Sequence, residues 1–272
     1  MTTDVFALGR AVPVGFAAGP GRSLRLIERN MLAYRRMWLM LLSGAAEPVF
    51  YLLSIGVGLG ELVPHVAGPG GRPVSYIDFV APALLATAAM QGAIFDSTFN
   101  IFFKLKYGKV YDAVLTTPLG VRDIAYGETG WALIRGGLYA VTFLLVACCF
   151  GAVHSWWALL ALPAALLIGF AFSGMGMAAT TCMRSWQDFE WVNLAMMPMF
   201  LFSTTFFPLG VYPRVLQLFV ECTPLYQGIE IVRGLTLGVV GPDLLGRALY
   251  LAVVGAVGLS IASRRLGKLL LP

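Results

Sequence analysis

The run WWALLALPAALLIGFAFSGMGMAATTC, Trp156 to Cys182, holds no charged residue over 27 positions. Eighteen or more apolar residues with few charges are enough to cross the hydrocarbon of a bilayer as one helix. Comparable runs lie on either side of it, at Met37–Leu59, Ile77–Phe95, Gly130–Phe150, Trp191–Phe207 and Leu244–Ala262, so six spans are expected. The composition agrees. Of 272 residues 58% are hydrophobic and only 12% charged, about half the roughly 25% charged content of soluble domains, and the mean hydropathy is +0.80. The expected fold class is therefore an all-α polytopic membrane protein, one transmembrane domain over 37–262 between a tail at 1–21, an interfacial helix at 22–36 and a second tail at 263–272.

Sidedness follows from where the basic residues gather beside the spans. Arg10, Arg22, Arg25, Arg29, Arg35 and Arg36 precede the first span, and Lys104, Lys106, Lys109 and Arg122 follow the second. Arg184 follows the fourth, and Arg264, Arg265 and Lys268 the sixth, so fourteen of the nineteen basic residues share one side. Arg72, Arg214, Arg233 and Arg247 take the other, and Arg135 falls inside a span. Both termini are expected in the cytoplasm, with a multi-pass chain in a bacterial inner membrane. The first twenty residues lack the apolar core of a secretory signal, so the amino-terminal tail is expected to stay cytoplasmic.

Several function classes find no support. The net charge of +5 lies beside the spans and not on a folded basic face, so membrane lipid and not nucleic acid is the expected partner. No phosphate loop, H-E-x-x-H or G-x-S-x-G elbow occurs, and His65 and His154 have no cysteine or carboxylate cluster that would make a zinc site. Neither a catalytic residue nor a metal or cofactor site is expected in this chain. Cys148, Cys149, Cys182 and Cys222 read as free thiols.

Three segments outside the spans have patterns of their own. Ser23 to Arg36 sets Leu24, Ile27, Met31 and Tyr34 on one helical face with arginines on the others, an interfacial helix by pattern or a basic flank of the first span. Phe103 to Glu128 is long for a connector; Val110, Val114 and Leu115 share a short helix that Pro118 ends, and Arg122 and Asp123 open a second element. A docking surface for a cytoplasmic partner and a solvated loop are both compatible with it. On the outer side, 208–243 holds two prolines suited to first helical turns. Pro213 starts a helix with Val215, Leu218, Phe219 and Cys222 on one face; Pro224 starts one with Leu225, Ile229, Val232 and Thr236. The pair reads as a hairpin dipping into the outer leaflet.

Ionisable groups at membrane depth are functional candidates. Glu47, Asp78, Asp96, Glu128 and Arg135 lie within or at the ends of spans, and ion pairs inside the bundle and contact with a substrate are equal readings. Glu47 adds about 2.5–3.5 kcal/mol at mid-membrane against roughly 0.3–0.6 kcal/mol gained per Leu, Ile, Val or Phe, so its span still inserts. Glycines at 56, 58, 60, 169, 174, 176, 255 and 258 permit close helix approach and dimerisation.

Taken together, FVAPALLATAAMQGAIFDSTF (79–99), KLKYGKVYDAVLTTPLGVRDIAYGE (104–128), MRSWQDFEWV (183–192) and PMFLFSTTFFPLGVYPRVLQLFVECTPLYQGIEIVRGLTLG (198–238) resemble the membrane subunits of type-2 ABC exporters. The resemblance extends from about Arg25 to Lys268, and is strongest to the branch of nodulation lipo-oligosaccharide and daunorubicin-resistance permeases. It implies a connecting helix, a coupling helix between the second and third spans, and a re-entrant hairpin before the last. It also implies a permease dimer in which each copy, or a related permease, binds a cytoplasmic ABC ATPase that holds ATP and Mg. The expected coupling residues are Lys106, Tyr107, Lys109, Val110, Tyr111, Asp112, Val114 and Leu115, with Tyr111 and Val114 entering a groove on the ATPase. Many family members are Glu-rich at this place, where Lys106, Tyr107 and Lys109 stand here. Glu47, Phe200, Phe202, Phe206 and Phe207 are the expected path for an amphipathic glycolipid, lipo-oligosaccharide or drug, though the phenylalanines equally suit a lipid-facing surface. An ion-coupled secondary carrier or channel is the alternative.

Overall fold

The computed structural model describes residues 20–34, 46, 49–63 and 65–270. The helices are α1 (Pro20–Tyr34), α2 (Val49–Gly60), α3 (Tyr76–Tyr107), α4 (Val110–Leu115), α5 (Val121–Cys149), α6 (Trp156–Thr180), α7 (Phe189–Phe202), α8 (Arg214–Glu221), α9 (Pro224–Leu237) and α10 (Asp243–Leu270). Among the described residues four of these, α3, α5, α6 and α10, are long and apolar enough to cross a membrane. The first half of the first expected span lies outside the described residues, which enter it in force only at α2. The fifth falls short. Its helix is 14 residues long, a rise of about 21 Å against roughly 30 Å of hydrocarbon.

What stops α7 is a buried polar turn where the sequence expected more helix. Ser203, Thr204 and Thr205 are all buried, Thr204 takes a left-handed φ of 60°, and the Thr205 hydroxyl donates to the Phe200 carbonyl at 2.8 Å.

The core is built from α3, α5, α6, α9 and α10, joined by one apolar cluster that includes Phe79, Leu84, Phe143, Ile168, Phe172, Ile229 and Leu251. Glycine lets two of these helices meet backbone to backbone. A Cβ on Gly258 of α10 would lie 2.6 Å from the Gly174 carbonyl carbon of α6, and one on Gly176 would strike the Ser97 side chain of α3. The glycine stripes read as permitting dimerisation are therefore spent within the chain at 174, 176, 255 and 258, whereas Gly58 and Gly60 have open space around them.

The loop between the first two expected spans forms a small ribbon that sequence reading missed. Strands β1 (His65–Ala67) and β2 (Pro73–Ser75) pair antiparallel, Val66 opposite Val74, and Gly71 closes the turn at φ 75°. Ser75 then caps α3 by accepting the Asp78 amide at 3.2 Å.

Helices α8 and α9 start where the two prolines place them. Helix α9 buries Leu225, Ile229, Val232 and Thr236, the face expected of it. On α8 the expected apolar face, Val215, Leu218 and Phe219, points out of the chain.

Candidate functional site

Helix α3 is interrupted by two π-turns, Asp96–Asn100 and Phe103–Tyr107. A π-turn rotates the side chains after it relative to a regular helix, and such turns recur at functional places. Each one here carries an ion-pairing residue toward α5. Arg135 donates to Asp96 at 2.6 Å and to the Tyr139 hydroxyl at 2.7 Å, and Lys104 Nζ meets Glu128 Oε2 at 2.7 Å. Since Asp96 precedes Lys104 and Glu128 precedes Arg135, the two bridges pin an antiparallel helix pair at two depths. Of the two readings open from sequence, Asp96, Glu128 and Arg135 take the bundle-internal one, with Lys104, expected in the loop, as partner of Glu128.

The lower bridge belongs to a larger cluster. Helix α1 lies on α5, Leu26 seated so closely on Gly127 that a Cβ there would come within 2.8 Å of the Leu26 Cβ. That approach brings Asn30 to Glu128, its Nδ2 donating to Oε2 at 3.1 Å. The face of α1 carrying Leu24 and Met31 is exposed, so the helix presents one side to the protein and another outward.

The segment expected to be the coupling contact forms α4. Its helix starts after Lys109, a non-glycine residue at φ 44°, and ends at Leu115, where Thr117 Oγ1 returns to the Val114 carbonyl at 2.6 Å. Lys106, Tyr107, Lys109 and Asp112 are exposed, while Val110 and Leu115 are half-buried. One expectation is overturned. Tyr111 and Val114 are buried within the permease, in a cluster with Leu26, Ile124, Ala262 and Leu266. Their shared face is the root of α4 and not a knob for a partner, because the apolar side of so short a helix is the side that its own chain covers.

Next to this segment an aromatic group joins the end of α3 to the start of α7. Phe99 contacts Phe95, Phe103, Trp186 and Phe189 at ring separations from 4.6 to 6.2 Å. The turn before α7 is held by Asp188, whose Oδ2 accepts the amides of Arg184 and Ser185 at 2.7 and 3.1 Å. Those amide hydrogen bonds hold the Asp188 carboxyl below the usual carboxylate range.

Between α6 and α7 opens an apolar cleft of about 690 Å³, lined by Met175, Ala179, Met183, Trp191, Met196 and Met199, with Arg184 and Asp188 at one end. Ligand sites fall at about 300–1,000 Å³, and methionine gives a lining that adapts to shape. The phenylalanines expected to form a path are divided. Phe200 meets Phe206 at 5.3 Å and Tyr51 at 6.0 Å, Phe202 turns to Tyr212, and Phe207 is exposed. Glu47 lies outside the described residues. The sequence signal for the cleft was the A-M-M-P-M run at 195–199, which was passed over as part of a span.

Arg233, one of the basic residues expected on the outer side, is buried inside the chain. It is 2% exposed, donating to the carbonyls of Phe79 and Thr204 at 3.2 and 2.8 Å and to Glu230 at 2.7 Å. Its guanidinium also stacks 3.9 Å from the Phe79 ring centre. Thus α9, the start of α3 and the polar turn ending α7 are tied by one side chain. Near it at the start of α3, His154 Nδ1 lies 3.7 Å from Asp78.

Residues 23–237 match the model of the ABC-2 type transporter membrane domain. The chain belongs to the ABC-2 type transporter family. Its members are transport subunits embedded in a membrane and not catalytic enzymes. Among similar proteins, Nodulation protein J of Rhizobium leguminosarum bv. trifolii is 35% identical over 225 residues, 80% of this chain and 84% of that one. Nodulation protein J of Rhizobium meliloti (strain 1021) is 32% identical over 78% of this chain and 79% of its own. That of Neorhizobium galegae is 28% identical over 95% of this chain and 99% of its own. Against the ABC-2 family, the polar cluster around Glu128, the cleft and the Arg233 tie are the features to be assigned work.

Proposed function

We propose that this ABC-2 subunit is the permease of an ATP-driven exporter in a bacterial inner membrane, moving an amphipathic lipo-oligosaccharide or similar glycolipid outward. The observation that carries the reading is the segment from the end of α3 through α4: α4 is rooted in the permease through Tyr111 and Val114, yet Lys106, Tyr107, Lys109 and Asp112 on and just before it are exposed, a surface for the cytoplasm. Such a surface suits a cytoplasmic ATPase that holds ATP and Mg, with this chain transmitting its movement. The resemblance to the nodulation lipo-oligosaccharide branch supports this cargo, and relatives named Nodulation protein J agree with that branch. In the assembled membrane the stretches 37–59 and 191–207 complete six spans, 208–243 serves as a re-entrant outer hairpin, and both termini face the cytoplasm. A second copy or a related permease packs against α7, nearly all of whose side chains are exposed or only half-buried in one chain. The Met-lined cleft and the rings of Phe200 and Phe206 then border the path.

Recruitment tests this reading. A tagged wild-type chain is expected to co-purify an ATPase from its host membrane. The Lys106→Glu, Lys109→Glu, Asp112→Lys variant inverts the exposed charges of the segment, and is expected to insert normally while recovering about tenfold less ATPase, a loss of roughly 1.4 kcal/mol in association. Equal recovery with both chains removes the coupling surface from this place.

A further inference from the structure

Helix α7 carries two separate apolar stripes. Trp191, Val192, Ala195, Met196 and Met199 recur at the spacing of one helical face and line the cleft beside α6. Leu194, Met197 and Leu201 form the other stripe and are exposed, which leaves that face for the second copy proposed above. The wall opposite the first stripe holds Phe172, Met175, Gly176, Ala179 and Cys182, where glycine and alanine add too little bulk to fill the slot. An apolar cavity offers water no partners, so at membrane depth the occupant that suits this one is hydrocarbon. Its length fits a chain from a single leaflet. From Trp191 to Met199 the helix rises about 12 Å, against about 15 Å for half of the hydrocarbon thickness. The α6 residues of the wall, Phe172 to Ala179, lie in the half of that helix nearest Arg184.

The charge at the mouth points to the head group. Arg184 is exposed, and among the described residues its guanidinium is within ion-pair distance of no carboxylate. Asp188 also borders the cleft, but its carboxylate already takes the amides of Arg184 and Ser185. Trp186 in this turn and Trp191 just after it are exposed, and tryptophan favours the depth of lipid head groups. A guanidinium fork matches phosphate oxygens in pairs. We propose that the cleft binds an anionic phospholipid of the inner leaflet, one acyl chain lying between α6 and α7 and the phosphate on Arg184. The proposal goes beyond the permease reading and shares with it only the sidedness that puts Arg184 at the cytoplasmic face. The occupant is a resident lipid and not the cargo, since an acyl-oligosaccharide with no anionic group leaves the guanidinium without a partner.

Cys182 lines the cleft and reports its occupancy once Cys148, Cys149 and Cys222 are replaced by Ser. The full chain is purified in neutral detergent with phosphatidylcholine or phosphatidylglycerol added. Retained lipid is read by native mass spectrometry, and access to Cys182 by its rate of reaction with an apolar maleimide. Wild type is expected to retain phosphatidylglycerol about tenfold better than phosphatidylcholine, and its thiol to react more slowly when phosphatidylglycerol is present. Arg184→Gln is expected to lose the preference. Ala195→Phe, which fills the cleft from an exposed position, is expected to retain neither lipid while keeping its helical content by circular dichroism. Equal retention of the two lipids by wild type, or an undiminished preference in Arg184→Gln, would overturn the head-group assignment. Wild-type lipid retention by Ala195→Phe would place the lipid elsewhere and overturn the site. Slowing of Cys182 by a labelled acyl-oligosaccharide but not by phosphatidylglycerol would give the cleft to the cargo instead. No ATPase is present in any arm, so a failure of ATP-driven export bears on the permease reading alone.

Discussion

At the scale of single residues, Arg233 does the most with the least sequence signal. Its guanidinium satisfies carbonyls on two other segments, and a buried acceptor deprived of its donor is left with about 1–3 kcal/mol of penalty. Arg233→Lys keeps the charge but not the fork, so it is expected to lower the unfolding free energy in detergent by about 1–3 kcal/mol, read by thermal melting; unchanged melting would mean the tie is dispensable. Charge counting gives this residue a side but sees no acceptors, so its burial was not legible in the sequence. The same limit applied to Asp96 and Lys104. Asp96 was flagged as functional or paired and Lys104 only as a loop charge, and the π-turns that aim them at Arg135 and Glu128 decide their roles. Hydrophobic periodicity does not mark where a helix takes a wider turn.

At the scale of elements, α3, α5, α6 and α10 were legible because long uncharged runs have few alternatives to a spanning helix. The starts of α8 and α9 were legible because proline suits a first turn, and the end of α4 because Pro118 follows it. The end of α7 was not. Phe206 and Phe207 continue the apolar composition past Ser203, and what bends the chain there is a set of contacts from Thr223 and Arg233, distant in sequence. The glycine stripes were visible but their partner was not, since small residues announce close approach without naming the surface approached. The α6–α10 contact makes that claim testable. Gly258→Ala places a methyl against the Gly174 backbone, which cannot yield as a side chain would, and overpacking of this kind destabilises by about 1–3 kcal/mol. The variant is expected to melt lower while the chain's oligomeric state in size-exclusion chromatography is unchanged. A lost dimer with unaltered monomer melting would return the stripe to the interface between copies.

At the scale of the whole molecule, three features, α1 on α5, α4 beside α3 and the Glu128 cluster among them, form one connected body at one end of the bundle. The Arg233 tie and the polar turn form another at the far end. The core helices α3 and α6 run between them, so in the proposed cycle a movement imposed at α4 would have a packed route to the far end through side chains already in contact. The cleft lies along that route, opening beside α6 where the free side of α7 leaves room for cargo or for a second copy. The central claim is that this movement is driven by ATP. The direct measurement is uptake of a labelled acyl-oligosaccharide into inside-out vesicles that hold the chain and its co-purifying ATPase. Uptake is expected to require Mg-ATP, to stop with vanadate and to persist when the proton gradient is collapsed. Uptake that runs on an imposed proton gradient without ATP would contradict the account and select an ion-coupled carrier.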